Sequence, residues 1–276
     1  MECVNFDEQF QAYASEWVRQ HAAEFGNNAD RMEDEMPALY ERWLNTPADF
    51  LDGACPATFF ERYDDASYLR DYLLAYCRQD VPVPDLLLDR LVALGDDAQR
   101  ALLHLLFDEA APEEAVLIAI SLLTELESRE PLSFYIRWIL QRQPKDERAD
   151  MAAEALVAMG ECVVPAVLAA YDGASRDAQE TFLDILGNFP SCKETFALVM
   201  ARLEQEEEHI AFLAALLGKL GDARAVPVLL ETMNRPELNY LDYIELRNAV
   251  EALGADVPQE RDFHGDPYYE SLSRME

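Results

Sequence analysis

Lysine is nearly missing from this chain of 276 residues, which holds only Lys145, Lys193 and Lys219. With 19 arginines they bring the cations to 22, against 54 aspartates and glutamates, for a formal charge of −32. That deficit excludes general binding along a nucleic-acid backbone, because phosphates must be met by clustered cations. It disfavours docking on an anionic membrane surface for the same reason. The five cysteines (Cys3, Cys55, Cys77, Cys162 and Cys192) are scattered, odd in number and form no Cys-x-x-Cys pair. They do not make a disulfide framework and read as reduced, small apolar residues. No apolar run approaches the ~18 residues of a membrane span, and a stretch such as Ala115 to Leu123 is short and flanked by carboxylates. Met1 to Glu8 has neither the basic region nor the apolar core of a signal peptide, so a soluble, cytoplasmic protein is expected. Alternating β-branched runs bounded by hairpin turns are nearly absent too.

Helical periodicity takes their place. Apolar residues make up 50% of the chain, enough for a substantial core. Ile210, Leu213, Leu217 and Leu220 form one stripe of a helix, and Val226, Leu229, Leu230 and Met233 repeat it beyond Gly221-Asp222. Gly221 supplies an open backbone to end the first helix, and Asp222 an acceptor for amides at the start of the next. The spacing predicts a helical hairpin across that turn. Similar breaks fall at Gly95, Glu127, Gly160, Pro190, Gly221 and Gly254, 30 to 33 residues apart, each close behind an apolar residue. Pro165 and Pro227 hold matching offsets two repeats apart. A helix pair of this size cannot bury its apolar face alone, so neighbours must stack into a continuous core. An all-α protein is expected, an α-α superhelix of the HEAT or armadillo solenoid kind.

The stretch from Leu220 to Leu230, LGDARAVPVLL, closely resembles the short HEAT-like repeats named for the phycobilisome lyases. Leu156 to Leu168 keeps the apolar turn and Pro165, Leu94 to Asp97 keeps Leu-Gly-Asp, and the turns at Glu127 and Pro190 keep only the hydrophobic pattern. The resemblance spans residues 83–255. Residues 1–82 do not follow the repeat and are expected to form a helical N-terminal cap. It comprises an amphipathic helix from Phe6 to Phe25 carrying Phe10, Tyr13, Trp17 and His21, a second helix over Arg31 to Leu44, short turns, and a helix opened by Asp64-Asp65. Val81-Pro82-Val83-Pro84 is a stiff break and the expected boundary. Residues 256–276, with Pro258, Gly265 and Pro267, read as an irregular tail folding back over the last repeat.

Little in the sequence points to catalysis. None of the four histidines lies in a zinc motif. Glu206 and His209 make a Glu-x-x-His pair of the di-iron type, but no second pair accompanies it. Deoxyhypusine hydroxylase, an enzyme with HEAT-like repeats, depends on His-Glu dipeptides, and this chain has none. Phosphate-binding and nucleophile-elbow motifs are also absent. The acid pairs Asp64-Asp65, Asp96-Asp97 and Glu113-Glu114 fall where helices start, where they complement the helix dipole. No catalytic residue, metal ligand or cofactor is therefore assigned.

What remains is surface. On a helix over Leu132 to Arg142, an inward set of Leu132, Ile136, Ile139 and Leu140 turns Phe134 and Trp138 outward, with Arg137 and Gln141 nearby. Phe134, Arg137, Trp138 and Gln141 are the candidate partner-binding residues, since aromatics and arginine are common anchors; packing of Trp138 on an adjacent repeat is the alternative. The expected function is a non-enzymatic scaffold or adaptor whose acidic groove holds a basic protein or peptide, with no direct nucleic-acid or membrane contact. An enzyme or metal protein on the same solenoid, and an acidic mimic of nucleic acid, are the competing expectations.

Overall fold

The computed structural model of the chain describes residues 2–25, 29–205, 208–257 and 261–273. Among the described residues there are sixteen α-helices, five 3-10 turns and no strand. The chain divides into two compact units, Met1–Pro131 and Leu132–Glu276. The division falls at the end of a helix-poor link, well after Val81-Pro84, which lies inside the first unit.

The first unit holds α1 (Phe6–His21), α2 (Ala29–Glu33), α3 (Met36–Leu44), α4 (Ala66–Gln79), α5 (Asp85–Ala93), α6 (Asp96–Leu106) and α7 (Glu113–Glu125). The single helix expected over Arg31 to Leu44 is two, because Pro37 has no amide to donate and starts α3 afresh. Asn5 caps α1 by accepting from the Glu8 amide at 3.1 Å, and Asp65 caps α4 by accepting from the Ser67 amide at 2.8 Å. Phe6 anchors α1 in a cluster of rings from Trp43, Phe59 and Phe60. The Tyr72 and Tyr76 hydroxyls donate to the carbonyls of Glu2 and Val4 at 3.0 and 3.1 Å, tying residues 2–4 along α4. Burial pushes the Tyr72 hydroxyl up to about 12, so these donors stay protonated at neutral pH. α4 packs on α5, α6 and α7, so the helix that closes the expected cap shares its core with the helices after it.

The second unit holds α8 (Leu132–Leu140), α9 (Glu147–Ala158), α10 (Val164–Tyr171), α11 (Arg176–Leu186), α12 (Lys193–Gln205), α13 (Ile210–Leu220), α14 (Val226–Met233), α15 (Tyr240–Ala252) and α16 (Pro267–Ser273). Asp146, Ser175 and Asn239 cap α9, α11 and α15 through the amides of Ala149, Ala178 and Asp242. Leu156, Val167, Phe182, Leu183, Val199, Leu213, Leu217, Leu229 and Leu246 are wholly buried, each contributing roughly 1.5–3 kcal/mol.

Five of the six sequence breaks, Gly95, Glu127, Gly160, Gly221 and Gly254, have positive φ, between 51° and 80°; Pro190 does not, and Asp52, Gly53, Asp80, Lys145, His209 and Gly265 take positive φ as well. At Gly221 φ is 71° and closes α13, as its position behind Leu220 requires. Glu127 does the same at φ 51° without the freedom of glycine. The hairpins, however, form across the other connections. α8 packs on α9, α10 on α11, α12 on α13 and α14 on α15. The glycine turns join one such pair to the next, as at Gly160, where the chain bends by 112° between α9 and the helical stretch ending at Tyr171.

Helices of successive pairs also pack on one another, α9 on α11 and α13 on α15. Hydrogen bonds also join positions 30 to 32 residues apart. Ser191 donates to Glu161 at 2.8 Å, Lys219 to Asn188 at 2.9 Å, and Arg235 to the Leu203 carbonyl at 3.1 Å, across 30, 31 and 32 residues. The Ala211 amide donates to Asp242, again 31 residues away, and in the first unit Gln99 donates to Glu130 with the same separation.

The expected irregular tail contains a helix. Asp266 accepts from the amides of Tyr268 and Tyr269 at 2.9 and 3.1 Å, and Pro267 starts α16. The same carboxylate accepts from the Tyr240 amide at 3.0 Å, Phe263 is buried against Tyr240 and Tyr243, and Arg261 donates to the Arg235 and Pro236 carbonyls. The tail is thus fastened to the start of α15 and the end of α14. Pro258 lies outside the described residues.

Candidate functional site

Of the four residues singled out on α8 and just beyond its end, Arg137 and Gln141 are exposed and Phe134 and Trp138 half-buried, and the inward face of α8 differs from the expected one. Tyr135 and Ile139 are wholly buried, Leu132 and Ile136 are half-buried, and Leu140 is 38% exposed. At about 100° per residue, a buried line through Tyr135 and Ile139 leaves Phe134 and Trp138 on its flank and turns Arg137 and Gln141 to solvent. Tyr135 takes the buried place expected of the leucines, and burial raises its hydroxyl far above the ordinary range. The flanking rings are covered by the chain's own cations. Arg137 lies over Phe134 at 4.7 Å and Arg148 over Trp138 at 5.0 Å.

Glu206 lies outside the described residues. His209 is the N-cap of α13, with φ 60°, and its Nδ1 is 3.6 Å from Glu180. Among the described residues, no group of three or more His, Cys, Asp or Glu side chains is placed to hold a metal ion. The acid pairs behave as capping chemistry requires: Asp65 is the N-cap of α4, and Asp96-Asp97 and Glu113-Glu114 occupy the first turns of α6 and α7.

A cleft of about 570 Å³ opens in the second unit between α9, α11 and α13. α9 contributes Asp150, Glu154 and Val157, α11 contributes Thr181, Asp184, Ile185 and Asn188, and α13 contributes Phe212. The helical spacing explains the arrangement: 150, 154 and 157 fall on one face of α9, and 181, 184, 185 and 188 on one face of α11. Asp150, Thr181 and Phe212 stand 31 residues apart in turn, as do Val157, Asn188 and Lys219. Val157, Ile185 and Phe212 give the cleft apolar lining, while four carboxylates, those of Asp150, Glu154, Glu180 and Asp184, share the rest with Arg142, Ala153, Thr181 and Asn188.

These carboxylates are not equivalent. Asp150 pairs with Arg142 at 2.9 Å, and Arg142 also donates to Thr181. Glu180 pairs with Arg202, only 7% exposed, at 3.0 Å, and faces Arg176 and His209 farther off. Lys219 is held at the other end by Asn188. Glu154 and Asp184 are exposed and, among the described residues, have no ion-pair partner. The cleft therefore has its own cations tied down at its margins and two uncompensated carboxylates beside a half-buried ring. No sequence signal beyond the 31-residue register marked this set, because each acid taken alone looks like ordinary helix-surface charge.

No protein-family model, curated protein or solved structure matches the chain. No single helix among the described residues is long and apolar enough to cross a membrane.

Proposed function

We propose that the protein is a non-enzymatic interaction module, a HEAT-like α-solenoid whose acidic cleft docks a basic segment of a partner protein. The single observation that carries this reading is the cleft between α9, α11 and α13, with Glu154 and Asp184 uncompensated beside Phe212. The hydrogen bonds spanning 30–32 residues, found at several places along the chain, support the solenoid reading. An overall charge of −32 favours encounter with a cationic partner and disfavours acidic ones. Phe134, Arg137, Trp138 and Gln141 form a second, subordinate contact surface. A partner there has to displace Arg137 and Arg148 from the rings, whereas the cleft asks for no such exchange.

The test is titration of the whole protein with an arginine- and lysine-containing peptide at low ionic strength. Affinity should fall as salt rises, because exposed charges are screened beyond ~10 Å at 0.1 M. Glu154→Gln combined with Asp184→Asn should weaken binding by roughly tenfold, two rim charges at up to ~1 kcal/mol each. Unchanged affinity in that double variant would remove the cleft from the account.

A further inference from the structure

We infer that the cleft between α9, α11 and α13 is selective for an arginine side chain of the partner polypeptide, in preference to lysine. This rests on the docking role proposed above and adds to it the identity of the cation. The chain repeatedly places arginine against aromatic rings: Arg62 lies over Phe59 at 4.3 Å, Arg137 over Phe134 and Arg224 over Phe196 at 4.7 Å, and Arg148 over Trp138 at 5.0 Å. At Arg224 the arrangement is complete. The guanidinium covers the Phe196 ring and its Nε donates to both carboxylate oxygens of Asp222 at 2.9 Å.

The cleft holds the same parts without the cation. Phe212 is a half-buried ring with no arginine over it among the described residues, and the nearby Glu154 and Asp184 carboxylates have no ion-pair partner there. The resident cations cannot supply the missing group cheaply, because Arg142 is held by Asp150 and Thr181 and Lys219 by Asn188. A planar guanidinium stacks on a ring and forks hydrogen bonds to carboxylates in its plane; an ammonium does the second as a point charge and the first poorly. A volume of about 570 Å³, open on one side, has room for one such side chain and part of the backbone carrying it.

Two peptides identical except for arginine or lysine at every basic position separate the possibilities, since charge is held constant. The arginine peptide should bind roughly fivefold tighter, a ratio set by the ring contact. Phe212→Leu should erase that ratio, and Phe212→Tyr, which keeps a ring, should restore it and guards against a variant that misfolds. Equal affinities for the two peptides, with Glu154→Gln and Asp184→Asn still weakening both, would overturn arginine selectivity and leave the acidic docking role standing. Binding of neither peptide would overturn both.

Discussion

At the scale of single residues, Asp266 shows how much one short side chain can fix. Its carboxylate accepts from the amides of Tyr240, Tyr268 and Tyr269, joining the start of α15 to the start of α16. Those bonds, the Tyr240 amide foremost, hold it below the ordinary carboxylate value of 3.8. A lowered folded value means that the contribution is present above 3.8 and is lost as pH falls through the folded value. Asp266→Ala should therefore lower the Tm at neutral pH, and the gap from the unmodified protein should close as acid protonates Asp266. A gap that persists unchanged in strong acid would show that the side chain acts by packing alone. Nothing in the sequence announced this role, because the Tyr240 amide is 26 residues away. Asp222, by contrast, was legible: next to Gly221 it accepts from the Arg224 amide, and the Arg224 guanidinium draws it down to about 2.

Between elements, what matters is how closely helices approach. α13 meets α15 at Gly218, where an added Cβ would stand 3.2 Å from the Ala249 backbone and 3.3 Å from its methyl group. Mid-helix alanine is normally better than glycine by about 1 kcal/mol, but overfilling a tight contact costs about 1–3 kcal/mol. Backbone cannot swing aside as a side chain does, so packing wins. Gly218→Ala should destabilise the protein by up to about 2 kcal/mol in chemical unfolding, whereas a stabilised variant would mean that α13 and α15 separate freely.

Most helices and breaks could be read from apolar stripes and from residues that accept a left-handed turn, as at Gly95, Gly160 and Gly221. Which helices pair could not. A stripe such as Leu213-Leu217-Leu220 declares a buried face without naming what covers it, and α13 is covered by α12 and α15, not chiefly by α14 across its glycine turn. The inward face of α8 is only partly legible, through Ile139, for a related reason. Tyr135 suits a surface as well as a core, and only the neighbouring helices decide.

Over the whole molecule, the charge of −32 is a general attraction for cations, and the proposed docking role needs the cleft to supply an address. The overall charge is plain in the composition. The address is only half visible, as residues recurring every 31 positions on three helices, because the sequence does not say which acids have found an arginine. Hydrogen–deuterium exchange of the full chain, alone and with the arginine peptide bound, tests the central claim most directly. Slowed exchange confined to α9, α11 and the first turns of α13 is the expected result. Protection confined to α1–α7, or to α8 without α11, would contradict it.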